Sequence, residues 1–176
     1  CTPLRPYPKR ISIGASQEGA GPRILAVIAH PDDESAFAGA LFASAVEHGS
    51  LVDVICVTNG EGGFKYSTLA QREHGLDLTQ EEVGREHLPR IREEELTRAL
   101  GWLGAHDLLM LGEQDHRYTT DLGEVLIESE GPWDLELVRE RLKDQLDRGR
   151  YDLLLTLAPS STTHAHHQAT TLLAAQ

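Results

Sequence analysis

The feature that most constrains the fold of this chain is a series of four short apolar runs, each followed by a polar cluster. The first run, residues 24–29, is continuously apolar, and the others lie at residues 51–57, 107–111 and 151–157. Helical apolar spacing separates the runs, which indicates strands alternating with helices. We therefore predict an α/β fold with a mainly parallel sheet, right-handed crossovers and helices on both faces of the sheet.

The segments between the strands are expected to be helices, with one exception. The exception is the polar stretch at residues 64–88, which is longer than most connections in compact domains and predicts a lid or a flexible insertion. The predicted helices lie at residues 34–47, at residues 90–103, at residues 135–146 and from about His167 onward.

The chain has 176 residues, which is the length of one domain. Residues 1–22 are expected to be an irregular leader with a short edge segment at residues 10–13. Residues 23–176 are expected to be a single domain that is truncated at its C-terminus. The first residue is Cys1, so trimming, processing or a lipid-modified cysteine are all open. We expect a cytoplasmic protein, with export or a lipid anchor through Cys1 as the alternative.

Composition excludes several classes of partner. The 28 acidic residues outnumber the 16 basic ones, and a net charge of -12 argues against binding to nucleic acid. No apolar run approaches the roughly 18 residues that a membrane span needs. The only cysteines are Cys1 and Cys56, so there is no disulfide framework, and Cys56 is predicted to be a buried, inert thiol. A homo-oligomer stays open.

Polar clusters follow all four predicted strands, at residues 30–34, 59–63, 113–116 and 164–167. In a parallel sheet the carboxyl ends of the strands meet at one edge, where ligands and catalytic groups collect. We therefore expect these four clusters to lie close together.

The first cluster predicts a metal site. Catalytic zinc usually has three ligands from His, Asp or Glu, and His30 and Asp33 are candidates for two of them, with Asp32 free to act as a general base. The third ligand is expected from the histidines at residues 164–167. Two alternatives stay open: the aspartates only cap a helix, or the histidines are merely a polar helix start.

The stretch His30-Pro31-Asp32-Asp33-Glu34 resembles the signature of the PIG-L/LmbE-like N-acetylglucosaminyl deacetylases, which include the mycothiol and bacillithiol pathway enzymes. The resemblance runs from about Arg23 to the end of the chain. It implies a Rossmann-like fold, a zinc ion and removal of acetyl from an N-acetylglucosamine-type substrate. It makes His30 and Asp33 the first two zinc ligands and Asp32 the general base.

The second signature of that family, typically His-Pro-Asp-His, matches His164-Ala165-His166-His167 by position. The match implies that His167 is the third ligand and that His164 stabilises the oxyanion. This chain departs from the pattern because His166 stands where the family usually has Asp. The departure predicts a lowered pKa for His164 and leaves His166 as a competitor of His167 for the metal.

Weaker matches imply three substrate-binding residues. They are Arg92, Asp115 and Glu61, the last in the loop that follows the second strand. The alternative for Arg92 is an exposed helix salt bridge to Glu94 or Glu95, and the alternative for Asp115 is an ordinary turn residue.

We therefore expect a zinc-dependent hydrolase, with ferrous iron as the alternative metal, acting on a small-molecule amino-sugar substrate. A metal hydrolase acting on another bond and a non-catalytic carbohydrate-binding protein of the same fold are the competing hypotheses. Retention of Asp32 argues against a mere binder, since binding needs no general base.

Overall fold

One sheet organises the parts of the chain that the computed structural model describes, which are residues 7–14, 19–128 and 131–176. Its strands are β1 (Lys9–Ser12), β2 (Arg23–Ile28), β3 (Leu51–Thr58), β4 (Asp107–Glu113) and β5 (Leu153–Leu155). The strand order is β1-β4-β3-β2-β5. Neighbouring strands are parallel except for β1, which pairs antiparallel with β4.

Helices cover both faces of this sheet, as predicted. They are α1 (Asp33–Glu47), α2 (Thr68–His74), α3 (Glu81–Leu103), α4 (Leu135–Gly149) and α5 (Ala165–Ala174). Helices α1 and α3 pack on one face, and α4 and α5 pack on the other. The predicted α/β class with a mainly parallel sheet is confirmed.

The apolar residues of each strand pack alternately on one face of the sheet and on the other, because successive side chains of a strand point in opposite directions. In β2, Leu25 and Val27 join the core beneath α4 and α5, whereas Ile24 and Ile28 join the core beneath α1 and α3. Phe42 of α1, only 1% exposed, fills the second core. A strand buried on both faces reads as a continuous apolar run, which is the pattern of residues 24–29.

The polar stretch at residues 64–88 is not the long connection without helices that was expected, and its action as a lid stays a prediction. A 3-10 turn at Glu61–Tyr66, helix α2 and the first turns of α3 occupy this segment. Helix α3 continues through Pro89, although proline removes a helical hydrogen bond. Phe64, Leu78, Leu88 and Ile91 form a small buried core that stabilises this segment, although the sequence around them is mostly polar.

Cys56 is fully buried, as predicted, and burial raises the pKa of its thiol well above the ordinary value. Cys1 lies outside the described residues. The short edge segment expected at residues 10–13 is β1, and the division between residues 22 and 23 stays a prediction. Within the described ranges, no helix is long and apolar enough to cross a membrane.

Candidate metal centre

The predicted site residues lie at the carboxyl edge of the sheet, where chain reversals bring distant clusters together. His30 and Asp32 occupy the turn from β2 into α1, and Asp33 is the first residue of α1. The histidine cluster at residues 164–167 forms the start of α5, which packs beside β2. Two segments far apart in sequence thus meet at one point of the sheet edge.

Three of these side chains present a compact set of metal-ligating atoms. His30 Nδ1 lies 3.1 Å from His167 Nε2, which lies 3.1 Å from Asp33 Oδ1. The ligand atoms of His30, Asp33 and His167 all lie within 4.8 Å of one another. Asp33 Oδ2 accepts the backbone amides of Ala29 at 3.0 Å and His30 at 2.9 Å, which fixes the carboxylate. Two imidazoles and one carboxylate with these separations fit a divalent metal such as zinc.

The structure does not support the capping alternative for the two aspartates. Asp32 occupies the position before α1 but makes no capping hydrogen bond with its side chain. Its carboxylate is exposed and pairs instead with Arg92 Nη2 at 2.9 Å. Displacement of water by neighbouring atoms raises the pKa of Asp32, whereas the Arg92 guanidinium acts in the opposite direction. Asp32 therefore stands next to the candidate metal ligands without belonging to their group.

Arg92 reaches this site from α3. Its guanidinium donates to the carbonyls of Gly60 and Pro31, each at 2.8 Å. Among the described residues, the ion pair of Arg92 is with Asp32 and not with Glu94 or Glu95, and Glu94 pairs with Arg90 at 3.1 Å. Gly60 has a φ of 69°, and a Cβ there would lie 2.3 Å from Arg92 Nη1. Only glycine combines this left-handed backbone with so close an approach.

His164 immediately precedes α5 and borders the candidate metal ligands. Its Nδ1 accepts the His166 amide at 3.3 Å, so the proton of the neutral ring sits on Nε2. Burial, followed by the nearby His167, lowers the pKa of His164 to about 4. The direction agrees with the prediction, but burial rather than a missing carboxylate is the main cause. The exposed Tyr118 ring packs 4.9 Å from the His164 ring.

His166 and His167 contact different ring nitrogens of His30. His166 Nδ1 lies 3.0 Å from His30 Nε2, on the opposite side of the His30 ring from His167. Its Nε2 lies 3.0 Å from His116 Nδ1. The ring is fully buried, and burial is the main reason that the pKa of His166 is lowered to about 2. His30, Asp115, His164 and His166 form a second group of ligating atoms within 4.8 Å, which overlaps the first group at His30.

The remaining predicted residues line the same edge. Asp115 is buried, with Oδ1 3.4 Å from His166 Nδ1, so it is more than a turn residue. Burial is the main cause of the raised pKa of Asp115. Glu61 is buried at the start of the 3-10 turn, and burial raises its pKa to about 7. Within the described ranges, Glu61 Oε2 has no hydrogen-bond partner.

Sequence reasoning assigned no role to His116, although it belongs to the third polar cluster. The structure places its ring 5.0 Å from that of His166, and its Nε2 lies 3.7 Å from Glu124 Oε2. The available signal was its position beside Asp115, at the carboxyl end of a predicted strand. That position says which edge of the sheet a residue occupies, but not which ring nitrogen it contacts.

Comparison with known proteins agrees with this geometry. The family model described as PIG-L, GlcNAc-PI de-N-acetylase, matches residues 25–176. The probable N-acetyl-alpha-D-glucosaminyl L-malate deacetylase 2 of Bacillus anthracis is 30% identical over 147 residues, covering 84% of this chain and 55% of that protein. The chain spans about half the length of the curated relatives that match most of it.

Solved structures show the same fold. The N,N'-diacetylchitobiose deacetylase from Pyrococcus horikoshii aligns with a TM-score of 0.64 at 24% identity, over 88% of this chain and 48% of that one. A pseudoaglycone deacetylase of an antimicrobial reagent, Dbv21, aligns with a TM-score of 0.57 at 31% identity, over 87% of this chain and 58% of that one. With the family model covering most of its length and both signatures at one edge of its sheet, the chain belongs to the PIG-L family of de-N-acetylases.

Proposed function

We propose that this protein is a metal-dependent N-deacetylase that removes acetyl from an N-acetylglucosamine-type substrate. The observation that carries the proposal is the set of His30, Asp33 and His167 ligand atoms within 4.8 Å, with the unligated Asp32 carboxylate beside it. The deacetylase of Bacillus anthracis and the deacetylase Dbv21, each at least 30% identical to this chain, support the same reaction.

His30 Nδ1, Asp33 Oδ1 and His167 Nε2 would hold the metal, with zinc as the first candidate and ferrous iron as the alternative. Burial lowers the pKa of His30 well below the ordinary value, which keeps its nitrogen free to ligate. A divalent ion bound there supplies Lewis acidity toward the acetyl carbonyl and lowers the pKa of a water molecule.

Asp32 is the proposed general base. Its carboxylate is exposed, and Arg92 holds one oxygen at 2.9 Å. A raised pKa makes the carboxylate a stronger base toward the attacking water, and the proton that Asp32 takes up then passes to the leaving amine.

His164 is the proposed oxyanion partner. Because its Nδ1 accepts the His166 amide, Nε2–H is the group that donates to the tetrahedral oxyanion. A pKa of about 4 means that the ring acts as a neutral donor at neutral pH. Arg92, Asp115 and Glu61 are the proposed contacts to polar groups of the substrate.

Acetate release from a panel of N-acetylglucosamine derivatives tests the proposal. We expect release by the zinc-loaded protein, loss after metal removal, and loss in Asp32→Asn, which keeps the shape of the side chain but not its basicity. The matched control is Asp147→Asn, an exposed aspartate near the end of α4 that pairs with Lys143 at 2.6 Å.

Two outcomes would contradict the deacetylase proposal. Stoichiometric metal binding and sugar binding without acetate release would favour a non-catalytic carbohydrate-binding protein. Turnover of ester but not amide analogues, still dependent on Asp32, would favour a hydrolase acting on another bond.

A further inference from the structure

We propose that His166, supported by His116, is a positioning residue that fixes the ring and the tautomer of the metal ligand His30. The inference rests on the proposed function only in taking His30, Asp33 and His167 as metal ligands. It assigns a role to a histidine that stands where the family signature typically has Asp.

The two nitrogens of His30 face different surroundings. Nδ1 faces His167 and Asp33, whereas Nε2 faces His166. A neutral imidazole carries one proton, so ligation through Nδ1 requires the proton on Nε2. That N–H needs an acceptor, and His166 Nδ1 lies at 3.0 Å, while Asp115 Oδ1 lies at 3.8 Å. The distances select His166.

The same logic then sets the tautomer of the next ring. If His166 accepts at Nδ1, its proton lies on Nε2, which is 3.0 Å from His116 Nδ1. His116 in turn accepts at Nδ1 and directs Nε2–H toward Glu124 Oε2 at 3.7 Å. Hydrogen bonds therefore run in one direction, from the metal ligand through His166 to His116, and the last ring faces the Glu124 carboxylate beyond hydrogen-bond distance.

Packing holds the middle ring of this chain in place. His166 is fully buried, with the His164 ring stacked at 4.3 Å and the Trp133 ring at 5.2 Å. Trp133 is itself fixed by a hydrogen bond from Nε1 to the Gln114 carbonyl at 3.0 Å. This packing favours the ring orientation in which Nδ1 faces His30. Such partners of metal-bound histidines orient the ring and raise its basicity.

Metal affinity tests the proposal without reference to turnover. In the full chain we would measure zinc affinity by competition with a chelator and record the visible spectrum of the cobalt-loaded protein. His166→Leu removes the acceptor and is expected to weaken zinc binding by about 10- to 100-fold and to shift the cobalt bands. His166→Asn places Oδ1 where Nδ1 was and should restore both values.

Two further variants locate the effect along the chain of rings. His116→Leu should weaken zinc binding less than His166→Leu, because it removes the outer partner and leaves the acceptor of His30 in place. His74→Ala changes an exposed histidine of α2 and should leave zinc affinity and the cobalt spectrum unchanged.

The wild-type protein offers a measurement that does not depend on whether a variant folds. Nitrogen-15 NMR of the histidine rings in the zinc-loaded protein should show the proton on Nε2 of His30, His166 and His116. A proton on Nδ1 of His166, or unchanged zinc affinity in folded His166→Leu, would overturn the proposal. A second zinc per chain bound at His166 would also overturn it, since the metal would replace the hydrogen bond.

The outcomes separate this inference from the proposed function. Wild-type protein that binds no metal would refute both. Tight metal binding that depends on His166, without acetate release, would refute the deacetylase and support the positioning role. Normal acetate release with unchanged metal affinity in His166→Leu would refute the positioning role alone.

Discussion

Ionisation of Glu113, at the end of β4, is expected to lower the free energy of unfolding, and a single substitution should remove this destabilisation. Its side chain is 8% exposed, and Oε2 accepts the backbone amide of Asp134 at 2.9 Å. Burial raises the pKa of Glu113 from 4.5 to about 7, the Asp134 carboxylate adds to the rise, and the Asp134 amide opposes it. Glu113→Gln keeps an oxygen for that amide and cannot ionise.

The sign of the effect follows from proton binding. Between about pH 4.5 and pH 7 the folded state holds the Glu113 proton more tightly than the unfolded state, so this group lowers stability as pH rises. The full pKa difference corresponds to about 3 kcal/mol, and relaxation around the carboxylate reduces it. We expect Glu113→Gln to match the wild type below about pH 4 and to be more stable by about 1–3 kcal/mol above about pH 8.

Urea unfolding across this pH range, followed by circular dichroism, measures the difference between the two proteins. Glu86→Gln, at an exposed position of α3, is the matched control and should track the wild type at every pH. A Glu113→Gln variant that is less stable than the wild type at high pH, or whose advantage does not change with pH, would refute the reasoning.

Two further predictions concern opposite ends of the sheet. Because Arg92 lowers the pKa of Asp32, Arg92→Met should move the acid limb of the pH profile of acetate release to higher pH. The control Arg90→Met, which breaks an exposed ion pair on the same helix, should leave the acid limb in place. An unshifted acid limb in Arg92→Met would disprove the coupling between Arg92 and Asp32. Tyr151→Phe removes a hydrogen bond of 2.6 Å to the buried Asp53 and should lower the free energy of unfolding by about 1–3 kcal/mol. Acetate release should be unaffected, since Asp53 lies near the start of β3; reduced turnover would contradict that separation.

Local sequence was sufficient for the part of the site that lies on one turn. His30, Asp32 and Asp33 sit between a buried strand and a helix, and a turn from a parallel strand into a helix places such residues at the carboxyl edge of the sheet. Their nearness to one another needs no tertiary contact. The assignment of Asp32 as base and of His30 and Asp33 as ligands came from the residue types in this turn and from the family signature, and it remains a proposal.

Long-range contacts were beyond a reading of local pattern. Arg92 reaches the Pro31 carbonyl from α3, and the helical segment around Phe64 is stabilised by a small core that draws on residues far from it in sequence. The apolar spacing predicted a helix only from residue 90, whereas α3 starts at Glu81, because helical spacing and propensity do not include burial supplied by residues elsewhere in the chain.

By itself, the sequence determined the α/β architecture and the edge of the sheet on which the polar clusters lie, because strand and helix periodicities are local properties of the chain. Only the tertiary structure decided that His167 faces Nδ1 of His30 while His166 faces Nε2. Adjacent residues at a helix start point in different directions, and the packing of α5 against β2 decides which nitrogen each one meets. The fold therefore decides which nitrogen of His30 each of the two neighbouring histidines contacts.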